Sequence, residues 1–279
     1  MSLVRVLKEA AIELVHTFYV NEAPTSASGP VTVAVKRLDG TAVVSGSATL
    51  EETGVYSYVV PGYADLDTHT VDWTGEFGGS STSVRDVLEI VGAHYFTIPE
   101  VRGIKPPLNP LSYSLSELTW RRIQVEQECE RITGTAFVPR FTRLQLNGNG
   151  TSKLVIPDIN PRAVRAVLIG SRAGATKVAL GASSLAAIAP VAGGVLVRDD
   201  GQIWPMGYAN IIVEYEYGRD FPPEDLRFAS MRRLRSLLTA SSSAIPDRTL
   251  SFTQPDGGVY RLTVPTARQT GIQIGRAHV

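Results

Sequence analysis

Apolar and polar positions alternate with a period of two through much of the first ninety residues. The pattern is clearest in VTVAVKRL, where Val31, Val33 and Val35 share one face, as in a strand with one side buried. Strands are predicted over 11–20, 31–38, 46–50, 54–60, 68–74 and 83–91. Turn signals separate them: Asp39-Gly40, Pro61-Gly62 and Gly78-Gly79. Short strands at this spacing, rich in Val, Thr and Tyr, predict a small β-sandwich. Tyr56, Tyr58, Tyr63 and Trp73 fall at alternating positions that predict an aromatic core. With a single cysteine there is no Cys–Trp–Cys signature, which excludes an antibody-type domain and leaves an immunoglobulin-like sandwich open.

The pattern then breaks. Residues 93–114 carry Pro99, Pro106, Pro107 and Pro110, a density that predicts a stiff, extended linker with no core of its own. A helical period follows. Ser114 or Ser116 is the expected N-cap, and Ser114 with Glu117 matches a capping box. Leu118, Val125, Cys129 and Ile132 recur at helical spacing, while Arg121, Arg122, Glu126, Glu128 and Glu130 are expected mostly on the other side. Gly134 is read as a left-handed C-cap.

Beyond it the period returns to two. A hairpin is predicted about Asn147-Gly148-Asn149-Gly150, with further strands at 164–169, 194–198, 201–203 and 210–217. Pro222-Pro223-Glu224-Asp225 then opens a second helix. Phe228, Met231, Leu234 and Leu238 form its apolar stripe, and Arg227, Arg232, Arg233 and Arg235 its basic face. A last hairpin is expected about Asp256-Gly257-Gly258, before a tail with few features of a packed element. The fold class predicted is α+β: a sandwich over 1–92, a linker over 93–114, a helix-plus-sheet domain over 115–245, and a hairpin with tail over 246–279.

Charge sharpens this division. Residues 1–92 hold 5 Lys and Arg against 12 Asp and Glu, and residues 93–279 hold 22 against 15, a net of −7 and +7 in a chain of zero formal charge. The single cysteine, Cys129, excludes an intramolecular disulfide and fits a reducing compartment. It lies mid-stripe in the first helix and reads as a core residue. In the first twenty residues Lys8, Glu9, Glu13 and His16 interrupt the apolar run, so a signal peptide or spanning helix is not expected. The four histidines are scattered without metal-ligand spacing.

Local chemistry is sparse. GNGTSK at 148–153 lacks the phosphate-loop spacing and lies between strands. Asp199-Asp200-Gly201 reads as a turn. The basic helix could meet phosphates, yet no DNA-binding motif accompanies it and its first turn is acidic. Nowhere does the pattern bring an acid, a base and a nucleophile together. The expectation is a protein without catalytic, cofactor-binding or metal residues.

The order of the pieces in the second half carries a resemblance. VEQECERITGTAFVPR at 125–140, LVIPDINPRAVRAVLI at 154–169, IIVEYEYG at 211–218 and FPPEDLRFASMRRLRSLL at 221–238 follow one another. This order resembles the head-to-tail adaptor (head–tail connector) proteins of long-tailed bacteriophages, the siphophages. The family implies a structural, non-enzymatic virion protein made in the host cytoplasm and placed in the neck. It implies a homo-oligomeric ring, commonly a dodecamer, between the portal protein and the stopper and tail proteins. Such a ring continues the DNA channel, touching genomic DNA without sequence preference and no membrane. The implied interface residues are Gly134, Phe137, Pro139, Arg140, Arg227, Arg232, Arg233 and Arg235. A competing expectation is a carbohydrate- or cell-surface-binding immunoglobulin-like protein, favoured if the aromatics of the first domain lie exposed on one face. A hydrolase with groups that meet only in three dimensions is a further alternative.

Overall fold

The computed structural model describes residues 2–105, 107–242, 251–253 and 259–261. Two compact units form: Met1–Tyr95 with Gln127–Pro222, and Phe96–Glu126 with the described residues from Pro223 onward.

The first unit begins with strands β1 (Leu3–Leu7), β2 (Ile12–Thr17), β3 (Tyr19–Val20), β4 (Ala23–Pro24) and β5 (Thr32–Arg37). It continues with β6 (Ala42–Ser47), β7 (Thr49–Glu52), β8 (Val55–Val60), β9 (Asp67–Phe77) and β10 (Ser80–Val91). Two sheets, ordered β1-β10-β9-β5-β6 and β2-β8-β7, share one apolar core. Val33, Val35, Val71, Trp73, Leu88 and Ile90 come from the larger sheet, and Leu14, Tyr56 and Val60 from the smaller. Tyr58 and Tyr63 pack against the same core, so the aromatic set is interior as its alternation predicts. β1 lies outside the predicted strands. It runs parallel to β10, with Arg5 opposite Glu89 and Val6 opposite Ile90. LVRVL hides its nature in sequence because one face is aliphatic and the other carries a charge whose partners lie far along the chain.

His16 of β2 contacts Asp86 of β10 at 3.0 Å between Nδ1 and Oδ2, and Asp86 also accepts from the backbone amide of Ser2 at 2.7 Å. The imidazole stacks on Trp73 at 5.6 Å. One polar pair thereby ties the two sheets together beside their apolar core, each member satisfying the other.

The same unit contains the end of α2 (Leu115–Thr133), which follows α1 (Ile98–Gly103). Then come β11 (Arg140–Gly148), β12 (Lys153–Val155), β13 (Pro161–Ile169), β14 (Val178–Ala179), α3 (Ala182–Ala186), β15 (Ile188–Val191), β16 (Val195–Arg198) and β17 (Gly207–Tyr217). They form a four-stranded sheet, β11-β17-β13-β14, and a three-stranded one, β12-β16-β15. Leu154, Leu196, Trp204, Ile211, Val213 and Tyr215 belong to their shared core.

The Asn-Gly-Asn-Gly segment is not a hairpin. β11 pairs with β17 and β12 with β16, so the chain changes sheet there. Gly148 permits the crossing: a Cβ at this position would collide with the carbonyl oxygen of Pro205. Its amide donates to Asn210 Oδ1 at 2.9 Å, and the Gly150 amide to the carbonyl oxygen of Trp204 at 2.9 Å. The strand predicted at 201–203 is also absent. That segment is held as a turn, with Arg198 Nε donating to Asp200 at 3.0 Å and the Gln202 amide to the same carboxylate at 3.1 Å.

In the second unit, part of the segment expected to be extended is α1. Thr97 and Glu100 form a reciprocal capping box, Pro99 sits at the helix start, and Ile98 and Val101 are buried. Proline near a helix N-terminus removes no intrahelical bond, which a count of prolines overlooks. α2 starts where Ser114 caps the Glu117 amide at 3.1 Å. Leu118 and Val125 are buried on its predicted stripe, as is Cys129 within the first unit. Ile132, expected on the stripe, is 57% exposed, whereas Arg122 and Glu126, expected in solvent, are interior. The two are four residues apart and so share one helix face, and an Arg122 guanidinium nitrogen reaches the Phe96 carbonyl at 3.5 Å. The helix predicted after Pro222-Pro223 is α4 (Glu224–Ser242). Met231, Leu234 and Leu238 are buried, joined by Leu226. Phe228 is exposed instead, under the guanidinium of Arg232 at 4.6 Å. Finally β18 (Ser251–Thr253) pairs antiparallel with β19 (Val259–Arg261), in accord with the last predicted hairpin. The tail after 261 lies outside the described residues.

Candidate functional site

The segment 133–140 joins a helix to a strand, and its residues explain how. Gly134 has φ of +65°, the left-handed conformation expected of a C-cap, and its amide bonds back to the carbonyl oxygen of Glu130 at 2.8 Å. Thr133 Oγ1 donates to the Cys129 carbonyl at 2.8 Å, closing the last turn. The chain then plunges inward. Phe137 and Val138 are buried, and Tyr95 meets the Phe137 ring edge-on at 6.0 Å. Pro139 lies against Gly92, whose amide donates to the Pro139 carbonyl at 3.1 Å; a Cβ at Gly92 would press on the proline ring. At Gly218 φ is +99°, and a Cβ would strike the carbonyl oxygen of Val138.

Arg140 ends the corner inside the protein, 3% exposed. Its Nη2 donates to Glu130 Oε1 at 2.7 Å. The other oxygen of Glu130 accepts from Arg5 Nη2 at 2.9 Å, and Arg5 Nε donates to Glu89 at 2.7 Å. Two arginines and two glutamates thus couple β1, β10, α2 and β11. Tyr217 lies beside them, its hydroxyl pushed above its ordinary pKa by burial and by the nearby carboxylates of Asp158, Glu89 and Glu130. Buried charges carry a heavy desolvation cost unless paired with good geometry, so such a cluster fixes the arrangement of the pieces it joins.

A second charged seam lies on the same unit. Arg37, Asp39, Asp65, Asp67, Arg143 and Arg165 line a cleft of about 160 Å³. Its cations are already engaged. Arg37 pairs with Asp67 at 3.5 Å, Arg143 with Glu214, and Arg165 with Glu216 and with the Leu66 carbonyl at 2.6 Å. Thr68 Oγ1 reaches the Phe141 carbonyl at 3.4 Å. The arrangement locks the sandwich to the β11-β17-β13 sheet. At a nearby crevice Asp158 is raised above the ordinary carboxylate range by burial, against the hydrogen bond it receives from Tyr215 at 2.5 Å.

The predicted interface residues therefore divide. Phe137 and Arg140 are enclosed, Pro139 is half-buried and Gly134 is exposed with open space beside it. On α4, Arg227 pairs with Glu100 and Glu224, and Arg235 donates to the carbonyls of Val101 and Ile104 at 3.3 and 2.9 Å. Those two hold α1 to α4 within the second unit. Arg233 is half-buried and Arg232 is exposed over Phe228. Arg5, Glu89 and Glu130 were not singled out by sequence. The available signal was a charged residue at the centre of an aliphatic pentapeptide.

Among the described residues no group of three or more His, Cys, Asp or Glu is placed to hold a metal ion, and no helix is long and apolar enough to cross a membrane.

No family model matches the chain, and no curated protein does. Among its structural neighbours are chains from the neck and virion of gene transfer agent particles. One comes from the neck of an empty particle computed with sixfold symmetry: 14% identity, TM-score 0.40, 58% of this chain and 84% of that one. Another comes from the neck of a native particle computed with twelvefold symmetry: 15% identity, TM-score 0.38, 60% and 90% covered. A third comes from the virion of a native particle, at 16% identity and TM-score 0.40, with 58% and 84% covered.

Proposed function

We propose that this chain is a structural, non-enzymatic component of a phage-like particle. In this reading it is a head-to-tail adaptor, whose copies form a ring between the portal and the stopper or tail and continue the DNA channel. The observation that carries the reading is the corner at 133–140. The segment on which the adaptor resemblance rests, helix end, T-G-x-x-F turn and following strand, is the one that the Arg5–Glu89–Glu130–Arg140 cluster, with buried arginines and half-buried glutamates, clamps to the first sheet. A subunit that must repeat around an axis needs fixed angles between its elements, because small errors accumulate around the circle. A paired, enclosed charge cluster together with glycines at Gly134 and Gly218 supplies fixed angles. The surface-adhesion reading loses its expected aromatics, since Tyr56 and Trp73 are 4% and 1% exposed.

The test is assembly. Purified full-length chain, alone and mixed with the portal protein encoded alongside it, is examined by native mass spectrometry and negative-stain microscopy. Rings, or a layer docked on the portal, are expected. A chain that stays monomeric with portal protein and is missing from the neck of purified particles overturns the proposal.

A further inference from the structure

The three-stranded sheet β12-β16-β15 has two unlike faces. Leu154 and Leu196 point into the core and are almost wholly buried. On the other face two cross-strand rows lie side by side: Val155–Val195–Val191 and Lys153–Val197–Ala189. Residues directly opposite one another in antiparallel pairs share a face, so these six form one contiguous surface. Val155 is 68% and Val191 44% exposed, and Val195, Val197 and Ala189 are half-buried. An ordinary exposed face of an antiparallel sheet alternates to polar residues, whereas this one is aliphatic with a single lysine. The turn that closes it is rigid. Gly193 and Gly194 have φ of +91° and +77°, and a Cβ on Gly194 would lie 2.6 Å from the Ile156 carbonyl oxygen. The face is thus preorganised and needs little ordering to bind.

A matching surface exists elsewhere on the chain. The outward face of β2-β8-β7 presents Val15 and Val59, 57% and 64% exposed, diagonal neighbours across the β2–β8 pair. Exposed Glu13 lies directly opposite Val59, and buried Ser57, directly opposite Val15, donates to exposed Glu51 at 2.6 Å. One face is aliphatic with a cation, and the other sets two exposed valines among hydroxyl side chains and anions.

We infer that the Val155–Val195–Val191 face of one copy packs on the Val15–Val59 face of the next, with Lys153 set toward Glu13 and Glu51. Contact between two different patches of identical chains is heterologous, the type that closes into rings. The inference rests on the ring reading and names the surfaces that would make it. Charge selects the partner: neither face suits a copy of itself, because like charges would meet, while each suits the other.

The experiment uses full-length chain. Val155→Cys with Val59→Cys in one polypeptide, treated with a short bis-maleimide, should give a covalent ladder of multimers, since Cys129 is buried. Each single variant should give monomer alone. In parallel, Lys153→Glu should lower ring yield about tenfold or more, and Lys153→Glu with Glu13→Lys and Glu51→Lys should restore it. Unchanged melting temperatures show that each variant folds. Wild-type rings without a ladder or without charge rescue overturn this surface assignment and leave the ring standing. Cross-linking of the Val155→Cys single variant to a different neck protein also overturns it. Failure of the wild type to assemble under any condition removes the ring and this interface together.

Discussion

At the scale of single residues, two glycines separate two kinds of constraint. Gly134 and Gly218 both have positive φ, but only Gly218 has backbone where a side chain would go. Gly134→Ala should cost roughly 1 kcal/mol, the strain of a left-handed alanine. Gly134→Val should cost more, because branching at Cβ disfavours that region further. Gly218→Ala should cost about 2–4 kcal/mol, since strain and collision with Val138 add. Urea denaturation of the three variants checks the order. Equal losses for Gly134→Ala and Gly218→Ala would show that the Val138 carbonyl gives way. Arg140 is a different case. Arg140→Ala removes one of the two guanidinium partners of a half-buried Glu130 that keeps Arg5, and should cost about 1–3 kcal/mol. Arg140→Met with Glu130→Leu should cost more than Arg140→Ala alone, because it also takes a carboxylate from buried Arg5, and urea midpoints decide it.

At the scale of elements, the sequence reveals strands wherever alternation is uninterrupted and fails where a polar group is spent inside. The strand Thr32–Arg37 is legible because Val33 and Val35 alternate with Thr32, Ala34 and Lys36. Leu3–Leu7 is not, since Arg5 finds Glu89 and Glu130 only after the chain has returned twice. Arg122 and Glu126 mislead in a related way: hydropathy assigns charges to solvent, yet both are interior. The Asn147–Gly150 segment has hairpin residues, but Asn210 and Trp204 engage them and the chain crosses to another sheet. The corner at Gly134 was legible because a glycine after an amphipathic run has few other uses. The charge clamp beneath it was not. A titration follows from the pair that joins β2 to β10. Burial alone would raise Asp86, but the hydrogen bonds from His16 and the Ser2 amide outweigh it and hold the carboxyl below its ordinary value. An acid with a lowered native pKa stabilises the fold above its unfolded value, near 4, and loses that contribution as pH falls through the native value. Asp86→Asn should therefore be less stable than wild type at pH 7 by about 1–3 kcal/mol. The gap should narrow below about pH 4, as chemical denaturation at stepped pH would record; a gap constant from pH 7 to pH 3 would remove this carboxylate from the acid response.

At the scale of the whole molecule, equal and opposite charge on the two portions of the sequence leaves no net charge yet an uneven distribution on every copy. Association of copies should then depend on ionic strength. Raising salt from about 0.05 to about 0.5 M should slow ring formation by roughly tenfold or more, followed by light scattering, because screening shortens the reach of such attraction. A salt-independent rate would assign the encounter to apolar contact alone. The pairing of β1 with β10 has another consequence, for the order in which the nascent chain acquires its form. Leu3–Leu7 leaves the ribosome before the rest of its sheet, yet its hydrogen-bonding neighbour ends at Val91, and the carboxylate and guanidinium that complete its charge cluster arrive with Glu130 and Arg140. At about 5–20 residues per second, the opening strand waits several seconds before anything can hold it. The first strand of that sheet to be made is among the last to be secured.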